Sequence, residues 1–267
     1  MNLLGIDRVA FSIFGVDVYW YGLIITFAIV LDFILLARLC KKFGYDKDMP
    51  FDLVLTAVVL GIIGARLFSV IFDSGADITD FFKFRNGGMS IIGGLLGGVV
   101  GVMLYSLIKK CNFFMVTDVL APLVILAQGI GRWGNFFNTE VYGREVLDES
   151  LQWFPYAVEI NGTWHHALFF YESVLNLIGF VLLFFLLYKF RSKFGIVTGA
   201  YLIYYGAVRF CLESLRDNEF ILRWGKLPIS KVMSGVMAII GIVIVVTVVI
   251  LDRKKRRNSY SSVKNRG

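Results

Sequence analysis

The chain has 267 residues, of which 57% are apolar, 16% aromatic and only 18% charged. This balance excludes an ordinary soluble domain, because so much apolar surface needs lipid as part of its solvent. The net charge of +7 does not indicate nucleic-acid binding, since the basic residues cluster at the ends of apolar runs, where anionic lipid and the insertion machinery act on them.

Seven apolar runs approach the roughly 20 residues that a helix needs to cross the hydrocarbon layer. They lie near 18–40, 51–73, 88–109, 115–131, 167–189, 196–215 and 232–252. The sequence therefore predicts an all-α, polytopic membrane protein with seven transmembrane helices, in which residues 1–267 form a single membrane-embedded domain. Residues 132–166 are expected to form a small extracytoplasmic head, and residues 253–267 a basic cytoplasmic tail.

The third run, together with the residues before it, is rich in glycine. Within residues 87–101, small residues recur at helical spacing. Such a series lets a neighbouring helix backbone approach closely, so it predicts tight helix packing here.

Lysine and arginine residues at the ends of the runs predict the orientation. When seven helices alternate, these clusters fall on one side: Lys41 and Lys42, Lys109 and Lys110, Lys189, Arg191 and Lys193, and Arg253 to Arg257. That side is expected to be the cytoplasm. The N-terminus is then outside, and the C-terminus is in the cytoplasm.

Ionisable residues inside or beside the apolar runs mark the candidate site, since each costs about 2.5–3.5 kcal/mol at the membrane centre unless it has a partner or a task. They include Arg66, Asp118, Arg132, Glu172, Arg209 and Glu213. Arg209 and Glu213 share a helix face, and Arg216 continues it by one turn. The local cations exceed the carboxylates. An arginine in this position therefore predicts an anion, and the guanidinium fork suits phosphate.

The densest polar stretch is GRWGNFFNTEVYGRE, residues 131–145, at the end of the fourth run. It offers cations for a phosphate, amides that orient glycerol or ester oxygens, and glycines that admit a ligand close to the backbone. Its carboxylates suit proton transfer or the orientation of an arginine. The pattern indicates a site rather than an ordinary surface loop.

Residues 131–143, GRWGNFFNTEVYG, resemble the signature of the prolipoprotein diacylglyceryl transferase family, G-R-x-G-N-F-x-N-x-E-x-x-G. Similar segments follow the family order along nearly the whole chain. They are WYG at 20–22, GARLF at 64–68, GGMSIIGG at 87–94, DVLAPLVILAQGIGR at 118–132, YES at 171–173 and YGAVRFCLESLRD at 205–217.

The resemblance implies transfer of a diacylglyceryl group from phosphatidylglycerol to the lipobox cysteine of a preprolipoprotein, with release of glycerol phosphate and no metal or nucleotide cofactor. The residues that it implies for catalysis are Arg132, Arg209, Glu140 and Tyr21. For substrate binding it implies Asn135, Asn138, Gly143, Tyr205, Glu213, Arg216 and His166. Supporting positions are Asp118, Gln128 and Arg66, the last favoured as structural, while Glu172 is expected to pair helices.

Two departures from the family pattern concern the base that would activate the thiol. Some members carry a histidine directly after GGMSx, where this chain has Ile92, which takes no proton. His166 is present, but Ala167 follows it where proline is usual. His166, Glu140 and direct ionisation of the thiol beside the arginines all remain open at this point.

Two other functions compete with the transferase. An anion transporter or channel would also place arginines inside the membrane, although the chain shows no internal repeat. A divergent, non-catalytic relative that binds lipid or lipoprotein precursor would also carry these motifs, and the departures at Ile92 and Ala167 favour it.

Overall fold

The computed structural model describes residues 7–72, 81, 88, 90–221, 223–224 and 227–264, and it is mostly helical. Seven helices lie where the seven apolar runs predict them. They are α1 Trp20–Phe43, α2 Met49–Phe72, α3 Ile91–Ile108, α4 Phe113–Asn138, α5 Leu168–Phe190, α6 Ile196–Leu212 and α7 Ile229–Lys264. The predicted helical class is confirmed.

Five of these helices are long and apolar enough to cross a membrane, namely α1, α2, α4, α5 and α7. The other two, α3 and α6, are shorter, at 18 and 17 residues. The chain is therefore a multi-pass membrane protein.

Two helices extend beyond their predicted ends. The fourth run was expected to end at 131, but α4 continues to Asn138, so most of the GRWGNFFNTE segment is helical. The basic tail continues α7 to Lys264. The glycines and asparagines of this α4 segment locally favour a helix end. In α4, packing against neighbouring elements outweighs that local preference.

Three short antiparallel hairpins accompany the helices, and the sequence analysis did not predict them. They pair β1 Val9–Ile13 with β2 Val16–Tyr19, β3 Ala157–Ile160 with β4 Thr163–His166, and β5 Arg223–Trp224 with β6 Leu227–Pro228. The second hairpin covers a small apolar cluster of Val158, Ile160, Ala167 and Phe169.

The chain divides into two compact units. One contains Met1–Asp32 and Asp118–Gly267, and the other contains Phe33–Thr117. In the first unit, α6 packs against α5 and α7, and in the second, α2 packs against α3. The candidate site described below lies entirely within the first unit.

Polar side chains cap the beginnings of several helices. Asn112 accepts backbone hydrogen bonds from Phe114 and Met115 at the start of α4, at 2.8 and 3.2 Å. Asp118 performs the same task across the fold for α6, because its carboxylate accepts from the backbone N–H groups of Gly195 and Thr198, both at 2.7 Å. These bonds satisfy donors that have no partner within the helix.

Glycine allows the backbones of α2 and α3 to approach closely, as the glycine series predicts; Gly87 lies outside the described residues. A Cβ atom at Gly97 would lie 2.0 Å from the carbonyl oxygen of Leu60, and one at Gly64 would lie 2.4 Å from that of Gly93. Gly98, the next residue on α3, has no atom within 4 Å of its Cβ position. Two adjacent glycines therefore have different structural roles.

We expect Gly97→Ala to lower the thermal unfolding midpoint, because the added methyl group overpacks the α2–α3 contact at a cost of about 1–3 kcal/mol. Gly98→Ala is the matched control. It should leave the midpoint unchanged or raise it, since alanine is about 0.5–1 kcal/mol better than glycine within a helix. Thermal unfolding of the purified protein in detergent measures both, and equal effects of the two substitutions would contradict this account.

Candidate active site

The end of α4, the beginning of α5 and the end of α6 bring together the charged residues that the sequence singled out. Glu172 projects from the second turn of α5, and its side chain is 2% exposed. Its carboxylate forms ion pairs with Arg132 of α4 and with Arg209 of α6, the latter at 2.5 Å. One buried carboxylate thus joins three helices.

The pairing continues beyond Glu172 along α6 and the turn after it. Arg209 also binds Glu213, with 2.9 Å between Nη2 and Oε2, and Arg216 lies 3.7 Å from the same Glu213 oxygen. Both Glu213 and Arg216 are buried. This set therefore contains three guanidinium groups and two carboxylates, which leaves one excess positive charge.

Arg216 shows how crowded the positive charge is. Its side chain lies in the turn beyond α6, outside the membrane-spanning segments. Burial lowers the pKa of Arg216 to about 10, and the neighbouring Arg209 acts in the same direction. The guanidinium still keeps its charge at neutral pH, so the site presents cations that are only partly neutralised.

A second set of contacts leads from Arg132 to Glu140. Arg132 donates to the side-chain oxygen of Asn135 at 3.3 Å, and Asn135 donates in turn to Glu140 at 3.0 Å. Asn138 donates to the same Glu140 oxygen at 3.3 Å. This network depends on the helical conformation of residues 132–138, which places Arg132 and Asn135 on one face of α4.

Tyrosines of α1 and α6 flank the arginines. The Tyr21 ring packs against Gly134, where an added Cβ would lie 2.5 Å from Tyr21 Cδ2. Tyr21 is near enough to Arg132 and Glu140 to interact with both electrostatically, and Tyr205 lies beside Arg132. Their aromatic rings keep the site partly apolar around its charges.

An uncharged polar layer lies one helical turn from the charged one. Gln128 is four residues before Arg132 on α4, Asn176 four after Glu172 on α5, and Tyr201 four before Tyr205 on α6. Gln128 donates to the Tyr201 hydroxyl at 3.0 Å. The Gln128 oxygen and both polar atoms of Asn176 are buried without a partner among the described residues.

Gly143 links the β3–β4 hairpin to the turn that carries Arg216. Its backbone pairs with that of Arg216. There is no room for a side chain at this position, because a Cβ atom would lie 2.5 Å from the Cβ of His166 and 3.0 Å from the Leu215 carbonyl oxygen. Any larger residue would separate these segments, so Gly143 positions Arg216 by its small size.

The site can be compared with known proteins. A family model described as prolipoprotein diacylglyceryl transferase matches residues 8–247. The chain belongs to this family. A phosphatidylglycerol–prolipoprotein diacylglyceryl transferase of Clostridium novyi is 38% identical over 247 residues, which cover 90% of this chain and 95% of the relative.

Two further relatives carry the same name. Phosphatidylglycerol–prolipoprotein diacylglyceryl transferase 1 of Clostridium perfringens is 36% identical over 95% of this chain and 99% of its own length. The enzyme of Enterococcus faecalis is 37% identical over 100% of this chain and 96% of its own length. The resemblance found in the sequence motifs thus extends over full-length relatives.

Asp118 and Arg66 were predicted to support the site, and among the described residues both form hydrogen bonds to backbone groups instead of to the other site residues. Asp118 is 14 residues before Arg132 on α4, about 21 Å along the helix axis, and it caps α6 instead of supporting the site. Arg66 belongs to the other compact unit and donates to the backbone oxygens of Phe81 and Gly88. These bonds favour its structural role.

His166 packs against two aromatic rings and is partly buried. The rings of Tyr156 and Tyr171 lie 5.2 and 6.5 Å from its own, measured between centroids. Burial lowers the pKa of His166 below its usual range, with His165 contributing, so the ring is neutral at neutral pH. Its Nδ1 is buried without a partner among the described residues.

Glu172 was expected to pair helices, and it does so by contacting Arg132 and Arg209. Other residues near the site were missed. Asn176 and Tyr201 were not singled out, although each lies four residues from a site residue and interrupts an apolar run. Within the described parts of the chain, no group of three or more His, Cys, Asp or Glu side chains is placed to hold a metal ion.

We expect Glu172→Gln to lower the free energy of unfolding by about 3–5 kcal/mol, because it leaves two buried guanidinium groups without their shared carboxylate. Asp52→Asn is the control. It removes an equally direct ion pair, 2.7 Å from Lys109, but both side chains are about a third exposed, so the loss should be about 1 kcal/mol or less. Denaturant unfolding in mixed micelles compares them, and similar losses would contradict the central role of Glu172.

Proposed function

We propose that this chain transfers the sn-1,2-diacylglyceryl group of phosphatidylglycerol to the thiol of the lipobox cysteine of a preprolipoprotein. The product is a thioether, and glycerol phosphate is released, which is the first step of bacterial lipoprotein maturation. Membership of the family supports this proposal, and so does the agreement of the relatives' names. The geometry of the arginines supports it independently.

The observation that carries the proposal is the arginine pair that shares Glu172. Arg132 and Arg209 are fixed by one carboxylate, and the set as a whole retains an excess positive charge. Guanidinium groups bind phosphate oxygens through two parallel hydrogen bonds. Because they are held in place before the reaction, they need no reorganisation as charge develops on a departing phosphate.

The proposed reaction is a displacement at the glyceryl carbon that carries the phosphate. The cysteine sulfur forms a bond to this carbon as the carbon–oxygen bond breaks, and the electron pair stays on the phosphate oxygen. Arg132 and Arg209 stabilise the charge on that oxygen. The thiol proton must be accepted by another group.

The remaining site residues have positioning roles in this proposal. Asn135 and Asn138 orient Glu140, while Tyr21 and Tyr205 flank Arg132. Glu213 holds Arg209 and Arg216, and Gly143 keeps Arg216 close to the β3–β4 hairpin. Gln128 supports the site from the uncharged layer below.

We further propose that all seven helices cross the bacterial inner membrane, with the N-terminus outside and the C-terminus in the cytoplasm. Glu172 lies near the beginning of α5, and Lys189 lies in its last turn. The site and the basic cluster are thus at opposite ends of α5. Since lysine and arginine favour the cytoplasmic side, the site would face the outer leaflet.

A direct test measures transfer of labelled diacylglyceryl from phosphatidylglycerol to a lipobox peptide by the purified protein. Arg132→Ala and Arg209→Ala should each lower kcat at least about 100-fold, because fixed donors to a developing charge contribute this much. The corresponding lysine variants keep the charge but lose the fork, so they should retain intermediate activity. Arg256→Ala changes an exposed arginine of the tail and should leave transfer unchanged.

The result for the wild-type protein distinguishes a transferase from a non-catalytic relative that only binds lipid. Cysteine-dependent transfer supports the enzyme. Folded protein that binds phosphatidylglycerol without transferring its diacylglyceryl group to any lipobox peptide would instead identify a non-catalytic relative, for which the isoleucine at position 92 is the favouring feature.

A further inference from the structure

The three carboxylates near the arginines are not equivalent. Glu172 and Glu213 are each 2% exposed and each is ion-paired with two arginines. Glu140 is half-buried, and the described residues give it two neutral amide donors and no ion pair. Both of these donors bond to Oε1, so Oε2 remains available to accept a proton.

The backbone around Glu140 is held in an uncommon conformation. Thr139 and Val141, the residues on either side, have φ angles of 58° and 60°. The left-handed region is unfavourable for β-branched residues, and such conformations persist where the surrounding structure imposes them, often at functional sites. The backbone N–H of Glu140 donates to the Asn135 carbonyl oxygen at 3.0 Å, which helps to fix this turn.

The other groups considered for proton transfer are less suitable. Ile92 takes no proton. The His166 ring packs against Tyr156 and Tyr171, and among the described residues its Nδ1 has no hydrogen-bond partner, an arginine included. Glu172 and Glu213 are already neutralised by their arginines.

We propose that Glu140 is the general base that accepts the proton of the acceptor thiol. This inference rests on the proposed function, since it requires a thiol acceptor. The proton moves from sulfur to Glu140 Oε2 as the sulfur–carbon bond forms and the carbon–oxygen bond breaks. The glycerol phosphate leaves with the electron pair of the broken bond, and Glu140 then releases its proton to solvent.

Charge balance couples this step to the departure of the phosphate. Glu172 and Glu213 leave one excess positive charge on the three arginines, and the nearby Glu140 carboxylate, without forming an ion pair, offsets it when it is counted with the set. Protonation of Glu140 removes one negative charge and leaves the cluster with a net positive charge at the moment when the phosphate gains negative charge. Tyr21 interacts electrostatically with both Glu140 and Arg132, and Asn135 connects Glu140 to Arg132.

The test compares a cysteine peptide with the same peptide carrying selenocysteine, because a selenol is ionised at neutral pH and needs no base. Glu140→Gln should lower transfer to the cysteine peptide at least about 100-fold, the usual contribution of a general base. On the selenocysteine peptide it should stay within about tenfold of wild type. Glu140→Asp, which keeps the carboxylate, should lose less than Glu140→Gln on the cysteine peptide.

Two control variants distinguish the base from a structural residue. Glu213→Gln removes an arginine partner, so it should lose the same factor on both peptides. His166→Asn should keep the wild-type ratio of the two rates. Equal losses of Glu140→Gln on both peptides, a Glu140→Asp variant no better than Glu140→Gln, or a loss selective for cysteine in His166→Asn would each overturn the assignment. Wild-type protein that transfers to neither peptide would overturn the proposed function itself.

An independent feature is the β1–β2 hairpin that precedes α1. The register pairs Phe11 with Val18 and Ile13 with Val16, so one face of the hairpin is apolar. Ser12 pairs with Asp17 on the opposite face, where the two side chains form a 2.5 Å hydrogen bond. The hairpin is amphipathic, and its apolar side chains are largely exposed.

The turn of this hairpin carries an aromatic ring at a strained position. Phe14 and Gly15 have φ angles of 50° and 76°. Asparagine and glycine suit such turns, and a bulky residue does not. The Phe14 side chain is nevertheless fully exposed at the tip.

We infer that the β1–β2 hairpin is a membrane-surface anchor whose apolar face lies on the lipid leaflet that α1 enters. The hairpin runs directly into α1, and the backbone of Trp20, the first residue of α1, donates to the Arg8 carbonyl oxygen at 3.1 Å. This contact keeps the base of the hairpin at the membrane boundary. Aromatic side chains are favoured at that level of the bilayer.

Spin labels placed singly at positions 12, 14, 16 and 17 test this surface in lipid nanodiscs. The background lacks Cys111 and Cys211, the two cysteines that are not buried. Labels at 14 and 16 should be relaxed more by oxygen than by a water-soluble nickel complex, and labels at 12 and 17 should show the reverse. Equal access of the nickel complex to all four positions would overturn the anchor.

Discussion

The ion pairs of Glu172 with Arg132 and Arg209 are the interaction on which the rest of the site depends. A carboxylate that is 2% exposed is stable inside an apolar bundle only when cations compensate it. Here the two cations come from two different helices. Their pairing fixes the end of α4 against α6 through α5, and at the same time it holds in a defined geometry the two guanidinium groups that we propose bind phosphate. Stability and chemistry thus depend on the same contact.

Helical periodicity extends this arrangement into two layers. Residues four apart lie on the same helix face. The layer that contains Arg132, Glu172 and Tyr205 therefore continues one turn deeper as Gln128, Asn176 and Tyr201. Within the site, the charged groups lie in the layer nearer the helix ends, where desolvation costs less than at the membrane centre. The deeper layer is polar but neutral, and its unpaired amide atoms keep the interior beneath the arginines hydrophilic.

The sequence predicts the seven helices well, because apolar run length is a strong signal. It predicts the site less completely. The spacing of Arg209 and Glu213 identifies a local pair, but no spacing within one helix shows that Glu172 of α5 meets Arg132 of α4. Asp118 was expected to support the site because it lies in an apolar run and in a segment similar to the family's, although its partners are the backbone groups of α6. The end of α4 was predicted too early because the apolar run ends at 131, whereas the helix continues through the polar residues to Asn138.

In the proposed function, the isoleucine at position 92 affects activation of the thiol and leaves phosphate binding unchanged. Binding of an anion requires fixed cations, and we propose that Arg132 and Arg209 supply them whether or not a histidine is present. Activation of a thiol requires a group that is free to accept a proton, and Glu172 and Glu213 are each engaged by two arginines. Glu140 differs from Glu172 and Glu213 in this respect, since asparagine amides orient it while leaving its charge unpaired. In this proposal, the partners of each carboxylate decide its task. Glu172 and Glu213 hold arginines, and Glu140 accepts the proton.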